Sequence, residues 1–141
     1  MLKSCSRCGK IHDFNKVCYK NRQARGLTEA DKFRKTNKWH KKSLYIRERD
    51  KNLCRCCLAN IYNTQFTFNF NKLEVHHITK LEEDFSRRLD DDNLITLCCY
   101  HHKLADNGLI SKNILCKLVD SNCNFNEIRQ EVDLLGIPPA F

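Results

Sequence analysis

Two ligand pairs at metal-binding spacing, Cys54-x-x-Cys57 and Cys98-x-x-His101, constrain the fold of this chain more than any other feature. Each pair supplies two corners of a tetrahedral zinc site, so the segment between them must leave one point in space and return to it. Inside that excursion lies His76-His77, and just past its end lies His102, so four of the six histidines belong to this region. Phe66, Phe68 and Phe70 alternate as along one face of a strand, and a turn at Asn71-Lys72 predicts a hairpin with Leu73 to Ile78, which makes the three phenylalanines core. Residues 79–92 are polar and acidic and predict a loop. Leu94 to Leu97 predicts a short apolar strand, and Cys98 opens a helix carrying His101, His102 and Asp106 that Asn107-Gly108 stops.

Ten cysteines in 141 residues demand an account. The chain begins Met1-Leu2-Lys3-Ser4-Cys5, with no signal-peptide-like stretch and no apolar run long enough to span a bilayer. The expectation is a cytoplasmic, reducing setting without a membrane partner, in which Cys-x-x-Cys means metal rather than disulfide. Cys5-x-x-Cys8-Gly9, His12 and Cys18 then form an N-terminal zinc knuckle, since so short a segment has too few apolar side chains to fold otherwise. The plainer alternative is a disordered tail with incidental thiols. Cys116 and Cys123 have no partner at ligand spacing and read as ordinary reduced thiols.

Charge is unevenly placed. Residues 1–51 hold 16 Lys and Arg against 5 Asp and Glu, the remainder 9 against 12, so the formal net charge of +8 belongs to the N-terminal third. Such a segment on a nearly neutral body implies a polyanionic partner, nucleic acid first, although a solvated lysine-rich helix has the same composition. Thr28-x-x-Asp31 has the form of a capping box, and no Gly or Pro follows before Leu53. The apolar stripe of Phe33, Trp39, Leu44, Tyr45 and Ile46 is too irregular for one straight helix. Trp39 reads as a packing residue and His40 as a surface one, while Lys38, Lys41, Lys42, Arg47 and Arg49 on the other face would meet a nucleic-acid backbone. Ile110 to Leu135 predicts one or two amphipathic helices before Gly136-Ile137-Pro138-Pro139. The organisation is thus a knuckle (1–27), a basic helical segment (28–52), a metal-stapled core (53–108) and a helical extension (109–141).

In a strand His76 and His77 face opposite ways, and on a helix His101 and His102 are turned about 100° apart, so each pair divides into two jobs. With His101 joined to Cys54, Cys57 and Cys98 in a closed site, His102 is free to meet His76 where strand and helix cross. Two neutral imidazoles leave positions open on a divalent ion, the mark of a catalytic site. Asp106, four residues after His102 on one helical face, would complete or orient the set, with Asp92 a weaker choice. His77, beside that ion and off it, suits a general base on water. Glu74 reads either as a hydrogen-bond partner of the ligands or as a solvent-facing strand residue.

Three separated blocks, Cys54-x-x-Cys57, Leu73-Glu-Val-His76-His77-Ile78 and Asn93-Leu-Ile-Thr-Leu-Cys98-x-x-His101-His102, resemble the HNH endonucleases, and among them the small zinc-containing enzymes of phages and mobile elements. The likeness spans about residues 45–107. It implies an α+β chain with a ββα-metal core, in which two strands and a helix clamp one divalent ion against a scissile phosphodiester of DNA. It implies that His77 is the general base, that His76 and His102 hold the ion (Mg2+, Mn2+, Ni2+ or Zn2+), that Asn93 fixes the loop and so the base, and that the products carry a 5′ phosphate and a 3′ hydroxyl. The family's structural zinc uses paired Cys-x-x-Cys ligands. Here the second pair is Cys98-x-x-His101, with Cys99 an adjacent competitor. Phage enzymes of this type can act beside the large subunit of the packaging terminase, which makes that protein an expected partner. The competing expectations are a zinc-dependent nucleic-acid-binding module without catalysis, which has no need of His77 or Asn93, and an interaction protein.

Overall fold

Short apolar runs separated by polar excursions give this chain small sheets and short helices. The computed structural model describes residues 1–6, 8–16, 18 and 26–136, a mixed α+β arrangement with two two-stranded sheets. The expected segment at residues 19–25 and the closing Ile137-Pro138-Pro139 lie outside the described residues.

Strands β1 (Leu2–Ser4) and β2 (Ile11–Asp13) pair antiparallel with Lys3 opposite His12. The turn between them is closed by Cys5 N donating to Lys10 O at 2.9 Å and Gly9 N donating to Cys5 O at 2.8 Å. Gly9 sits at φ +70°, where a Cβ would be strained, and this reversal brings Cys8 back beside His12.

The irregular stripe resolves into two helices, α1 (Glu29–Arg34) and α2 (Asn37–Arg49). The capping box forms: Thr28 Oγ1 accepts from Asp31 N and Asp31 Oδ2 from Thr28 N, each at 3.1 Å. Thr36 then caps α2 by accepting from Trp39 N at 3.1 Å, so a second start signal interrupts what would otherwise be one helix. At its C-terminus α2 is tied down. Buried Asp50 pairs with Arg49 Nε at 2.8 Å and accepts from Thr96 N at 2.8 Å, while Arg49 donates to Asp91 O and Leu94 O. Lys42 pairs with Asp91. Arg49 and Lys42 therefore take part in docking the helix.

Helix α3 (Arg55–Ala59) carries Cys56 and Cys57 and follows Cys54. The strand expected at Ile61–Phe70 is absent, and Phe66, Phe68 and Phe70 are not core: each is 68% exposed. Asn60, Tyr62, Asn63 and Lys72 all have φ between +49° and +57°, which breaks an extended backbone, and Asn69 O is taken by Cys54 N rather than by a ladder. Strand β3 (Leu73–His77) pairs instead with β4 (Leu94–Cys98), antiparallel, with Leu73 opposite Cys98 and His77 opposite Leu94. The connecting loop holds two single-turn 3-10 segments, Phe85–Arg87 and Asp91–Asn93. Helix α4 (Cys99–Asp106) packs back on both strands.

The C-terminal helices α5 (Lys112–Val119) and α6 (Phe125–Leu135) are part of the main core. Ile114, Leu115, Leu118, Ile128 and Val132 join Ile95, Leu97, Leu104 and the cysteines around Cys54 in one cluster. Arg55 donates to Leu118 O at 2.9 Å and Arg129 to Ala59 O at 2.6 Å, closing the backbone groups between α3 and the two helices. A smaller cluster of Ala30, Phe33 and Leu81, with Trp39, Phe85 and Leu89 against it, seats α1 on the 79–92 loop. Among the described residues, no helix is long and apolar enough to cross a membrane.

Candidate metal centres

Among the described residues, three sets of His, Cys and Asp side chains gather their ligand atoms within 4.8 Å of one another: Cys5, Cys8, His12 and Cys18; Cys54, Cys57, Cys98 and His101; and His76, His102 and Asp106. Every residue expected to ligate a metal falls into the set expected of it. Cys56, Cys99, His40 and Asp92 join none, and Asp92 instead faces Arg87 at 3.3 Å.

In the buried set, His101 Nδ1 lies 3.5, 3.4 and 3.2 Å from the sulfurs of Cys54, Cys57 and Cys98, and Cys57 Sγ lies 3.9 Å from Cys98 Sγ. Bonds of about 2.3 Å to sulfur and 2.0–2.1 Å to nitrogen give tetrahedral edges of about 3.5–3.8 Å, so these separations fit a zinc ion. The ring is oriented from outside: Nε2 faces Ile61 O at 3.2 Å, which leaves Nδ1 for the sulfurs. Asn69 Nδ2 donates to Cys57 Sγ at 3.6 Å. Burial works against a charged imidazole, yet the hydrogen bonds to Cys54 and Cys98 prevail and raise His101 to about 10, while the bonds from Cys54 and Cys57 hold Cys98 down as a thiolate. The N-terminal set is more open, with Cys8 Sγ 2.9 Å from His12 Nε2, and its three thiols and one imidazole also suit zinc.

The third set has different chemistry. His76 Nδ1 is 3.5 Å from Asp106 Oδ1, His102 Nδ1 is 3.4 Å from Asp106 Oδ2, and the two rings meet edge to face at 5.1 Å. Glu74 Oε2 lies 3.0 Å from His102 Nδ1 while its side chain stays exposed, so both of its sequence readings are met. Burial first, then the neighbouring His102, lowers His76 to about 4, so its imidazole is neutral and ready to donate a lone pair at neutral pH. The set borders a cleft of about 450 Å³ that Arg34, Arg47 and Lys80 also line. Arg47 Nε is buried there without a hydrogen-bond partner.

His77 faces away from this set, as strand alternation requires, and still lines the same cleft. Its Nε2 donates to Arg88 O at 3.1 Å; a carbonyl only accepts, so the proton sits on Nε2 and Nδ1 keeps its lone pair. Trp39 stacks on the ring at 4.7 Å and Phe33 meets it edge-on at 6.2 Å. Burial lowers its pKa below the ordinary histidine value, partly offset by the Arg88 carbonyl. Asn93 is buried and holds both ends of the intervening loop: its Oδ1 accepts from Thr79 N at 2.7 Å, and its Nδ2 donates to Thr79 O at 3.2 Å and Arg87 O at 3.1 Å. The carbonyl that fixes His77 therefore belongs to the residue next to one that Asn93 grips.

Sequence reasoning missed the Trp39 and Phe33 packing on His77, the Arg88 carbonyl and the place of Lys80 on the cleft, whereas Arg47, expected on the nucleic-acid face, lines that cleft. A backbone carbonyl leaves no mark in a sequence, and nothing about Trp39 at a helix start names His77 as its neighbour. Comparison of the chain with protein-family models, with curated proteins and with solved structures gives no match.

Proposed function

We infer that the chain is a metal-dependent endonuclease of the HNH type that hydrolyses DNA phosphodiester bonds, with β3, β4 and α4 as its ββα-metal core. The observation that carries this reading is the position of His77: off the His76–His102–Asp106 set, on the same cleft, and held by the Arg88 carbonyl with Nδ1 free. A purely structural zinc module has no use for a neutral imidazole kept beside a ligand set in this way.

His76, His102 and Asp106, with Glu74 beside them, would hold the divalent ion, whose chemistry is to neutralise charge developing on the phosphate and on the departing 3′ oxygen. Two imidazoles in the set favour Mn2+, Ni2+ or Zn2+ over Mg2+. His77 takes a proton from water through Nδ1 as the oxygen attacks phosphorus in line, leaving a 5′ phosphate and a 3′ hydroxyl. Trp39 and Phe33 keep its ring in one plane, and Asn93 keeps the Arg88 carbonyl in place. Arg34, Arg47 and Lys80 grip the flanking phosphates.

The test is nicking of supercoiled plasmid by wild type and His77→Ala, each supplied with Mg2+, Mn2+, Ni2+ or Zn2+. Cleavage by wild type and its loss in the variant is the expected result. Absence of cleavage with every ion would leave the zinc-dependent nucleic-acid-binding module as the better reading.

A further inference from the structure

The loop between α3 and β3 places three phenyl rings where no fold needs them. Phe66, Phe68 and Phe70 are each 68% exposed, and among the described residues none of them makes an aromatic or cation–π contact. Three exposed rings within five residues of one loop are costly in water, and apolar surface of this kind marks a binding site. The loop is also held in shape. Asn69 O accepts from Cys54 N, Asn69 Nδ2 reaches Cys57 Sγ, Asn71 N donates to Asn69 Oδ1 at 3.0 Å, and Thr64 Oγ1 donates to Ile61 O at 2.8 Å. The zinc ligands thus anchor the backbone that displays the rings.

Composition names the occupant. From Asn63 to Lys72 every residue other than the three phenylalanines is Asn, Gln, Thr or Lys, and no Asp or Glu occurs between Asp50 and Glu74. This segment offers π-faces, amides and hydroxyls, with Lys72 as its one charge. Flat rings stack on bases, amides read base edges, and an absence of carboxylates tolerates phosphate. A hollow of about 790 Å³, within the range of ligand pockets, lies beside the loop between Phe66, Asn69, Asn71 and Tyr100. Strand β3 leads directly from the loop to the cleft, and its four steps from Leu73 to His77 span about 13 Å.

We propose that Phe66, Phe68 and Phe70 form a stacking platform for unpaired bases of a nucleic-acid strand, so that the substrate is DNA with a single-stranded or branched portion next to the cut. The assignment of the strand's cut to the cleft rests on the nuclease reading; the platform itself does not.

The experiment uses the full zinc-loaded chain with His77→Ala to prevent cleavage, titrated by fluorescence anisotropy against an oligo(dT) probe and a blunt duplex. Stacking energetics put the loss at about 5-fold per ring, hence about 100-fold for oligo(dT) in the triple variant Phe66→Ala, Phe68→Ala, Phe70→Ala, with the duplex much less affected. Replacing the same three residues by Tyr restores binding. Zinc content equal to the parent's shows that the variants are folded. Unchanged oligo(dT) affinity in the triple alanine variant overturns the platform, and so does a wild-type dimer that the variant converts to monomer, since the rings then face a second copy. If wild type cleaves no DNA but its oligo(dT) affinity depends on the rings, the platform stands and the nuclease reading falls.

Discussion

An imidazole bound to a metal has no lone pair left for water, and one remote from the metal cannot reach the same phosphate; His77 satisfies both limits because strand alternation turns it from His76 while the cleft keeps the two together. On this reading His77→Ala lowers cleavage by about 10²–10⁴-fold, as measured by plasmid nicking, and leaves DNA retention in gel shift near wild type. The pH profile follows from the direction of its shift. His77 acts as a base only when unprotonated, and burial lowers its pKa, so activity falls on the acid side with a midpoint below the ordinary value of 6.5. A midpoint above 6.5 in kcat against pH would assign the limb to another group. Glu74 acts at the same scale: Glu74→Gln keeps the shape and removes the charge beside His102, and is expected to weaken the affinity of the third set for Mn2+ by about 10-fold in calorimetric titration while sparing zinc content.

Each element around the cleft is fixed by a bond from another element. Asn93 closes the loop between β3 and β4 with three hydrogen bonds, and Asn93→Ala strands Thr79 N, Thr79 O and Arg87 O. The cost is about 2–3 kcal/mol in denaturant unfolding, with kcat reduced more than KM is raised because the Arg88 carbonyl loses its support. These elements were unequally legible in the sequence. Alternation and helical rotation separated His76 from His77 and His101 from His102, since those periods are properties of the backbone itself; ligand spacing marked the two cysteine-containing sets, and the crossing of strand and helix joined His76 to His102. Alternation misled at Phe66, Phe68 and Phe70, because period two in a short run says nothing about whether a partner strand exists; left-handed Asn60, Tyr62, Asn63 and Lys72 exclude one here. Equally invisible was the role of α2, whose basic residues look alike in composition. Only contact with Asp91 and the β4 backbone separates Lys42 and Arg49 from Arg47 of the same helix, which lines the cleft.

At the scale of the whole molecule, the buried set of Cys54, Cys57, Cys98 and His101 could let a metal stand in for bulk. The main core is small and four of its buried side chains are the cysteines at 54, 56, 57 and 98, so Cys98→Ser is expected to lose one zinc per chain by emission spectrometry and to abolish the cooperative thermal transition. Mild chelation should act in order of exposure. The His76–His102–Asp106 set gives up its ion first, with activity lost and circular dichroism unchanged; the Cys54 set gives up zinc last, together with the fold. Elsewhere the chain meets a hazard common to two-stranded sheets, an open strand edge. The outer side of β4 presents Leu94 O and Thr96 N, two residues apart on one edge, and both are already taken, by Arg49 Nη2 and by Asp50 Oδ2. A strand from another molecule arriving there finds these two ladder groups already occupied. The end of α2 is thus a guard against polymerisation as well as a brace. Losing Asp50 would expose a template for intermolecular β-pairing, so that insolubility during expression, ahead of any deficit in cleavage, becomes its first visible phenotype.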